Sequence, residues 1–578
     1  MKAKLFIMAL VMIILTPSRV ISQDFIRALQ VAGNGPDFVN GVATDSDGNI
    51  IIDGRFQYSV DFDPSDNEAI LESISNNDIF FAKYSPTGEY IWAKQMSVGS
   101  AEGSRCDKND NIYLTGYTLG QLDLDPSEGE AIVNAEQKQS VFLAKYNSQG
   151  EYIWGFAVQS KNGGTSSFDV EVDDQGNYVY IAGTCSDTMD FDPSENTYNL
   201  VTQNFQDFFV AKYTLDGEFV WVKHLAFQGY GYGYIRTIAI DNTGNIYIGG
   251  NFQGTLDMDP GEESYLITSA GEFNDDAFLA KYNSSGEVQW AFPLGSESFD
   301  IIWTIRCYNE KIYAAGSFYE TVDFDPSDAT FELTASEGEE NGFLAIYNDD
   351  GSFDKVMGMI GTGEETGGRV NDMGIDTDGN IYLLGSFYGT IDVDPSEEVH
   401  TITGTGRDYD MFLSKYSADG YFNWAIHTNG NDQEQGYFLK VVDNNHAVAF
   451  GYFDGNCDFD PSDGTAYLYH KGGHDIYMAW YSTTPGSYVD EKIFSSSLQI
   501  APNPTNSNCK LQFNVNTSTS MDIKVIDLCG REIYKVENIE LSQGMQEINI
   551  PSQLLKPGIY LVQEMVQGRK YAQKLVRY

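Results

Sequence analysis

The chain has 578 residues, enough for several domains, and sets 34 Lys plus Arg against 84 Asp plus Glu for a formal net charge of −50. That balance excludes the ordinary nucleic-acid binder, which needs a basic footprint for phosphate contacts. With 42% apolar and 14% aromatic residues a disordered acidic tail is excluded as well, and six Cys are too few for a disulfide scaffold.

Lys2 and Lys4 precede an apolar run from Leu5 to Leu15, and Val20-Ile21-Ser22 supplies compact residues before a cleavage point. This pattern predicts a secretory signal peptide over residues 1–22, with a mature chain starting near Gln23. The run is too short to cross about 30 Å of hydrocarbon. No later stretch has transmembrane length, so the chain is not expected to span a membrane.

From residue 23 to 484 one unit is written seven times. Asp-x-Asp followed by proline recurs with its proline at Pro64, Pro126, Pro193, Pro260, Pro326, Pro395 and Pro461. About twenty residues later an apolar run ends in Tyr84, Tyr146, Tyr213, Tyr282, Tyr347, Tyr416 or Tyr481. A tryptophan follows five of these (Trp92, Trp154, Trp221, Trp290, Trp424), and a hairpin signal such as "DNTGNIYIGG" precedes each motif. Period-two alternation and Gly/Asn turns predict four short strands per unit, the pattern of propeller blades. The seventh unit lacks a fourth strand after Tyr481, and Phe25 to Gly33 reads as a fourth strand without a unit. The expected fold is therefore all-β: a seven-bladed β-propeller over residues 23–484, closed by an N-terminal outer strand. On "DNTGNIYIGGNF" and "AFLAKYNSSGE…W" the units resemble the SBBP-type β-propeller repeat, a resemblance that implies the fold and no settled activity.

Strands that alternate up and down put every D-x-D-P motif on one face, with an acidic residue two positions after each proline. The first four triplets are Asp61, Asp63 and Asp66; Asp123, Asp125 and Glu128; Asp190, Asp192 and Glu195; Asp257, Asp259 and Glu262. The other three are Asp323, Asp325 and Asp328; Asp392, Asp394 and Glu397; Asp458, Asp460 and Asp463. Closely spaced carboxylates suit a hard cation, so calcium is the candidate metal and these aspartates its candidate ligands. The alternative is local: Asp before Pro-Ser-Asp/Glu caps a tight turn and spends its oxygens on backbone N–H groups. Both readings stay open, and no other cofactor is indicated.

Lys83, Lys145, Lys212, Lys281 and Lys415, each before a strand-ending tyrosine, are expected to pair with acids of the D-x-x-G-N hairpins as exposed pairs of little energetic weight. The tryptophans read as packing anchors. Tyr230, Tyr232 and Tyr234 in "FQGYGYGYIRT" are the candidate ligand-binding residues, placed to stack a sugar. Unit five departs most from the repeat, with Ile346 for the lysine, Lys355 for the tryptophan, and an unusual Trp303 and Cys307; in unit seven Trp480 replaces the lysine. No nucleophile elbow, zinc motif or phosphate loop occurs. His470 and His474 share a segment but lack further ligands, and Cys106, Cys185, Cys307 and Cys457 read as isolated thiols.

Residues 485–497 read as a linker, and residues 498–578 change character: from Glu491 onward ten Lys/Arg meet eight Asp/Glu. Alternation at Ile523-Val525-Ile526 and Ile559 to Val562 predicts a small β-sandwich, which Cys509 and Cys529 could cross-link. Pro502-Asn503-Pro504, the turn from Asp527 to Arg531, Gly558-Ile559-Tyr560 and Lys574-Leu575-Val576 resemble the C-terminal sorting domain of the type IX (Por) secretion system. The resemblance implies delivery by that machinery across the outer membrane of a Bacteroidetes-type bacterium, to the surface or the medium. Together these readings describe an exported propeller, leaning away from catalysis, that binds an extracellular glycan or protein or helps build the cell surface. Two rivals remain: a carbohydrate-active hydrolase or lyase on the D-x-D-P face, and a purely structural surface protein.

Overall fold

The computed structural model describes residues 25–75, 77–134, 139–158, 164–173, 178–202, 205–261, 263–271, 274–405, 408–443, 445–462, 464–483, 499–501, 509–515, 518–527, 531–551, 555–566 and 569–577. Every regular element among them is a strand. The expected leader and linker, Pro502-Asn503-Pro504, Cys529, Glu262 and Asp463 lie outside the described residues.

In the first repeat, Phe38–Thr44, Ile50–Phe56, Asp78–Tyr84 and Tyr90–Met96 pair antiparallel in that order. The D-x-x-G-N turn sets the first hairpin: Gly48 supplies a φ of 76°, and Asp45 accepts the Asp47 and Asn49 N–H groups at 3.0 and 2.8 Å. The same order recurs behind the inner strands Gly99–Cys106, Ser166–Asp173, Tyr232–Ile240, Ile301–Tyr308, Gly367–Ile375 and Glu434–Asp443. Among the described residues the last of these is followed in its sheet by only two further strands of its own, His446–Phe453 and Asp475–Ser482. Phe25–Gly33 lies antiparallel on Asp475–Ser482, with Leu29 opposite Met478.

The core lies between sheets, because each sheet is apolar on both faces. Ile51, Phe81 and Met96 of the first repeat pack with Leu114, Phe142 and Tyr146 of the second. Phe450, Met478 and Trp480 of the last repeat pack with Val42, Ile52 and Phe80 of the first. Inner strand lies against inner strand from each repeat to the next, and Phe38–Thr44 lies against Glu434–Asp443 as well.

Each D-x-D-P motif sits in a small hairpin between the second and third strands of its sheet. Four of these hairpins do something the repeat pattern does not announce: they pair with the end of the preceding sheet. Ser59–Asp61 extends Phe25–Gly33, Thr255–Asp257 extends Phe219–Phe227, Thr390–Asp392 extends Phe353–Gly361, and Asn456–Asp458 pairs with Asn429–Gly430. The motif therefore latches neighbouring sheets at their outer strands.

In the tail, one sheet of Gln499–Ala501, Cys509–Val515 and Gly544–Ile550 faces a second of Glu532–Leu541, Thr519–Asp527, Gly558–Val566 and Arg569–Arg577. Leu511, Phe513, Ile523, Val525 and Val562 share their one core, as the alternation predicts for a sandwich.

Candidate functional site

All the inner strands bulge at the same place. The register against the second strand slips at Asn40, Glu102, Phe168, Arg236, Trp303, Asn371 and Tyr437, one residue per repeat. A recurrent glycine of the second strand makes room. At Gly54, Gly116, Gly183, Gly250, Gly316, Gly385 and Gly451 an added Cβ would collide with the carbonyl oxygen two residues before the bulged residue. A bulge turns the extra residue away from the ladder and re-aims its side chain.

All of these bulged side chains line one cavity of about 380 Å³ bounded by the inner strands. The strand-ending tyrosine, the D-x-D-P aspartates and the second-strand glycine recur in every repeat; at the bulge only Asn40 and Asn371 share a residue type, and the other five are all different. The guanidinium of Arg236 stands 4.5 Å from the Tyr234 ring centroid and 4.9 Å from that of Trp303, contacts in which the aromatic faces favour the cation. Phe38 and Tyr437 each pack against Tyr452. Three residues beyond the bulge, Arg105 meets Asp169 at 3.3 Å and Glu171 at 3.1 Å, and Arg306 meets Asp372 at 2.6 Å. Leu439 and Met373 N–H groups and the Thr304 hydroxyl hold Asp372 in place.

The cavity lining carries five basic and three acidic side chains, so a chain of net charge −50 is locally cationic here. Burial pushes the Glu102 and Asp53 carboxyls up to about 7, although Ser104 donates to Asp53 at 2.6 Å and opposes the rise. Burial, with the guanidinium groups of Arg105 and Arg306, pushes the Lys440 ammonium down to about 8.

The candidate metal ligands are used locally. Asp61 Oδ1 accepts the Asp63 and Ala69 N–H groups at 3.1 and 2.9 Å, and Asp63 Oδ1 accepts Ser65 N–H at 2.9 Å. The first aspartate of every other motif, at Asp123, Asp190, Asp257, Asp323, Asp392 and Asp458, accepts the same two N–H groups, two and eight residues on. The second aspartates cap the turn after the proline. Asp125 accepts the N–H of Ser127, Asp192 that of Ser194, and Asp259 that of Gly261, at 2.7–3.0 Å. Likewise Asp325 accepts Ser327 N–H, Asp394 accepts Ser396 N–H, and Asp460 accepts Ser462 N–H, at 2.9–3.0 Å.

Among the described residues no group of three or more His, Cys, Asp or Glu is assembled to hold a metal ion. The local capping expected as the alternative is present along the whole series, at Asp61 and Asp63, Asp123 and Asp125, Asp190 and Asp192, Asp257 and Asp259, Asp323 and Asp325, Asp392 and Asp394, Asp458 and Asp460, and by itself it decides neither for nor against calcium. One oxygen of each carboxylate accepts backbone N–H groups of its own turn. Asp66 is exposed, like the rest of its turn. The residue between the two aspartates is buried, and its carbonyl accepts the strand-ending tyrosine hydroxyl at 2.8–3.1 Å in each repeat, from Tyr84 on Phe62 to Tyr481 on Phe459. The geometry is that of a turn cap.

Lys83, Lys145 and Lys415 pair with acids of the D-x-x-G-N hairpins as expected, but the lysines are buried rather than exposed, and they bridge sheets. Lys83 meets Asp45 at 2.7 Å and donates to the Ser148 carbonyl of the next repeat at 3.1 Å. Lys145 on Leu215, Lys212 on Ser284, Lys281 on Asp349 and Lys415 on Thr483 make the same carbonyl bond. The two departures from the repeat keep the bond by other means. Lys355, in the tryptophan position, reaches the Asp419 carbonyl at 2.9 Å, and Trp480, in the lysine position, reaches Pro86 of the first repeat at 3.0 Å. Trp92, Trp154 and Trp290 lie against Gly150, Gly217 and Gly351 of the following repeat, as packing anchors do.

The tyrosine row divides. Tyr234 packs edge-on to Phe168 beside the cavity, Tyr232 turns to Asp275, and Tyr230 is 81% exposed. In the tail, Gly558 opens a strand, Tyr560 donates to the Lys556 carbonyl at 2.9 Å, and Lys574 lies in the terminal strand. Cys106, Cys185, Cys307 and Cys457 are free thiols. Trp303 was visible in the sequence as an oddity of unit five; the rest of the cavity emerges only when the inner strands are aligned on their bulges.

Residues 499–577 match the family model of the secretion system C-terminal sorting domain. Over 493 residues the chain is 24% identical to an uncharacterized WD repeat-containing protein of Acanthamoeba polyphaga mimivirus, covering 72% of this chain and 35% of that protein, so the chain spans about a third of its relative's length. Among solved structures, PorZ, an essential surface component of the type-IX secretion system of Porphyromonas gingivalis, is similar at 11% identity and a TM-score of 0.22, covering 97% of this chain and 86% of that one. A protein of unknown function from Bacteroides caccae gives 8% identity and a TM-score of 0.25, covering 69% of this chain and 93% of that one. Superpositions of that quality fix neither fold nor role. The sorting domain marks the chain for type IX export, to the cell surface or into the medium, and no helix among the described residues is long and apolar enough to cross a membrane.

Proposed function

We propose that the exported chain is a seven-bladed propeller of the SBBP type, closed by Phe25–Gly33, that binds an extracellular ligand in its central cavity without transforming it. Closure is supported by the seventh interface, where Trp480 reaches the Pro86 carbonyl at the place that a lysine reaches in five of the others. Ligand binding rests on one observation: the bulged residue of the inner strand changes from each repeat to the next while the residues that hold the repeats together recur. Positions kept for folding repeat with the fold, whereas a single site in a pseudo-symmetric ring needs unlike residues. The D-x-D-P motif is then a structural latch, and its spare carboxylate oxygens serve solubility. Residues 1–22 act as the leader.

The test is a glycan and surface-protein binding screen with the full chain and its Trp303→Ala variant. Binding lost in the variant at unchanged melting temperature supports the reading; a ligand bound equally by both overturns the cavity as its site.

A second reading is favoured by Glu102, whose carboxyl is pushed up to about 7, the range of a general acid beside carboxylates such as Asp169. It makes the cavity a polysaccharide-cleaving site. Turnover on any polysaccharide that disappears in Glu102→Gln would establish it.

A further inference from the structure

The lower tier of the cavity has chemistry that the binding reading above does not use. Three residues past the bulge, the repeats place Ala43, Arg105, Glu171, Ala239, Arg306, Gly374 and Lys440. Three of these are cationic, and Arg105, Arg306 and Lys440 line the same cavity. The three small residues on the tier leave the space between them open. The acids are committed: Asp169 and Glu171 hold Arg105, and Asp169 also accepts Ile238 N–H at 3.1 Å. Asp372 holds Arg306. Lys440 makes no ion pair among the described residues, and burial and the guanidinium groups of Arg105 and Arg306 disfavour its charge more than Asp372 and Glu171 favour it. An unpaired cation beside two others is costly in a cavity unless something of opposite charge comes to it.

We infer that Arg105, Arg306 and Lys440 form an anion subsite, which takes a carboxylate or phosphate group of a ligand whose body rests against Trp303 and the aromatic tier above it. The inference deepens the cavity reading and rests on it. Planar guanidinium forks and a mobile ammonium are the set that recognises such groups. The aromatic rings one tier up suit the faces of a sugar ring.

Calorimetric titration of the full chain at low ionic strength with glucuronate, inorganic phosphate and neutral glucose tests it. At least one of the two anions should bind, and which one does separates a carboxylated from a phosphorylated ligand. Lys440→Met, which removes no internal partner, should weaken that binding about ten-fold or more, and Lys440→Arg should restore it. A reading independent of any variant is available: Lys440 should be the lysine of the body most readily acetylated near pH 8, and the bound anion should protect it. Anion binding unchanged in Lys440→Met, or no anion binding at all, overturns the subsite. If a ligand still depends on Trp303 in that case, only the subsite falls; if no ligand depends on Trp303 either, the cavity reading falls with it.

Discussion

Gly316→Ala probes the contact that builds the cavity. Gly316 pairs with Ile302 on one side and Phe343 on the other, and an added Cβ would sit well inside the contact distance of the Ile301 carbonyl. The strand cannot slide to relieve this, because Ile302, Ala315 and Phe343 are buried and a one-residue slip would exchange its two faces. The inner strand must instead move outward by about 1 Å or more. That weakens one or two ladder hydrogen bonds at about 1 kcal/mol each and disturbs packing at about 1–3 kcal/mol. The stiffer unfolded chain returns at most about 1 kcal/mol, so a net loss of about 2–4 kcal/mol is expected. Urea unfolding of the full chain measures it, with Gly338→Ala as control. Gly338 has a φ of 76° but open space around its would-be Cβ, and should cost only about 1–2 kcal/mol. Gly316→Ala at or below the cost of the control would refute the claim that glycine at this position exists to admit the bulge.

Tyr282→Phe strips the hydroxyl from a buried bond of 2.9 Å to the Met258 carbonyl beside the latching hairpin Thr255–Asp257, and the stranded acceptor should lower the unfolding free energy by about 1–3 kcal/mol; no change in denaturant midpoint would mean the latch is not held there. Because each D-x-D-P aspartate caps backbone N–H groups of its own turn, calorimetry with calcium or with chelator should give the same melting temperature, and a rise of several degrees with calcium would decide for the metal. Glu434, buried beside Asp410, has its carboxyl pushed up to about 10. A raised carboxyl gives stability that is full below the unfolded value near 4.5 and is lost as pH rises toward 10, so unfolding free energy should fall across that window with a slope approaching about 1.4 kcal/mol per pH unit from this group. Glu434→Gln should flatten that slope; an unaltered pH profile would count against the assignment.

Much of this architecture could be read from the chain, because local chemistry fixes it. D-x-x-G-N demands a hairpin wherever it stands, and a fourth strand missing after Tyr481 and an unclaimed one at Phe25 point to each other. The lysine–aspartate pairs were legible too, though not their burial, which comes from the next sheet covering them. Pairing between a D-x-D-P hairpin and the preceding sheet was not, since nothing in Ser59–Asp61 differs from an ordinary turn flank. The cavity stayed hidden for a related reason. A bulge adds one residue without changing the alternation enough to notice, and its glycine partner looks like one more turn residue in "IGG" or "LLG". A row of tyrosines reads the same whether it faces a cavity or solvent, and of Tyr230, Tyr232 and Tyr234 only Tyr234 packs beside the cavity.

The most direct test of the ring is a disulfide between its ends. Ala28 stands opposite Ala479 across the pairing of Phe25–Gly33 with Asp475–Ser482, and Ala82 stands opposite Ala93 within the first sheet. Cysteine pairs at both places, oxidised in the folded full chain and mapped by peptide mass spectrometry, should both cross-link. A bridge between positions 82 and 93 with none between 28 and 479 would mean that the N-terminal strand does not close the ring.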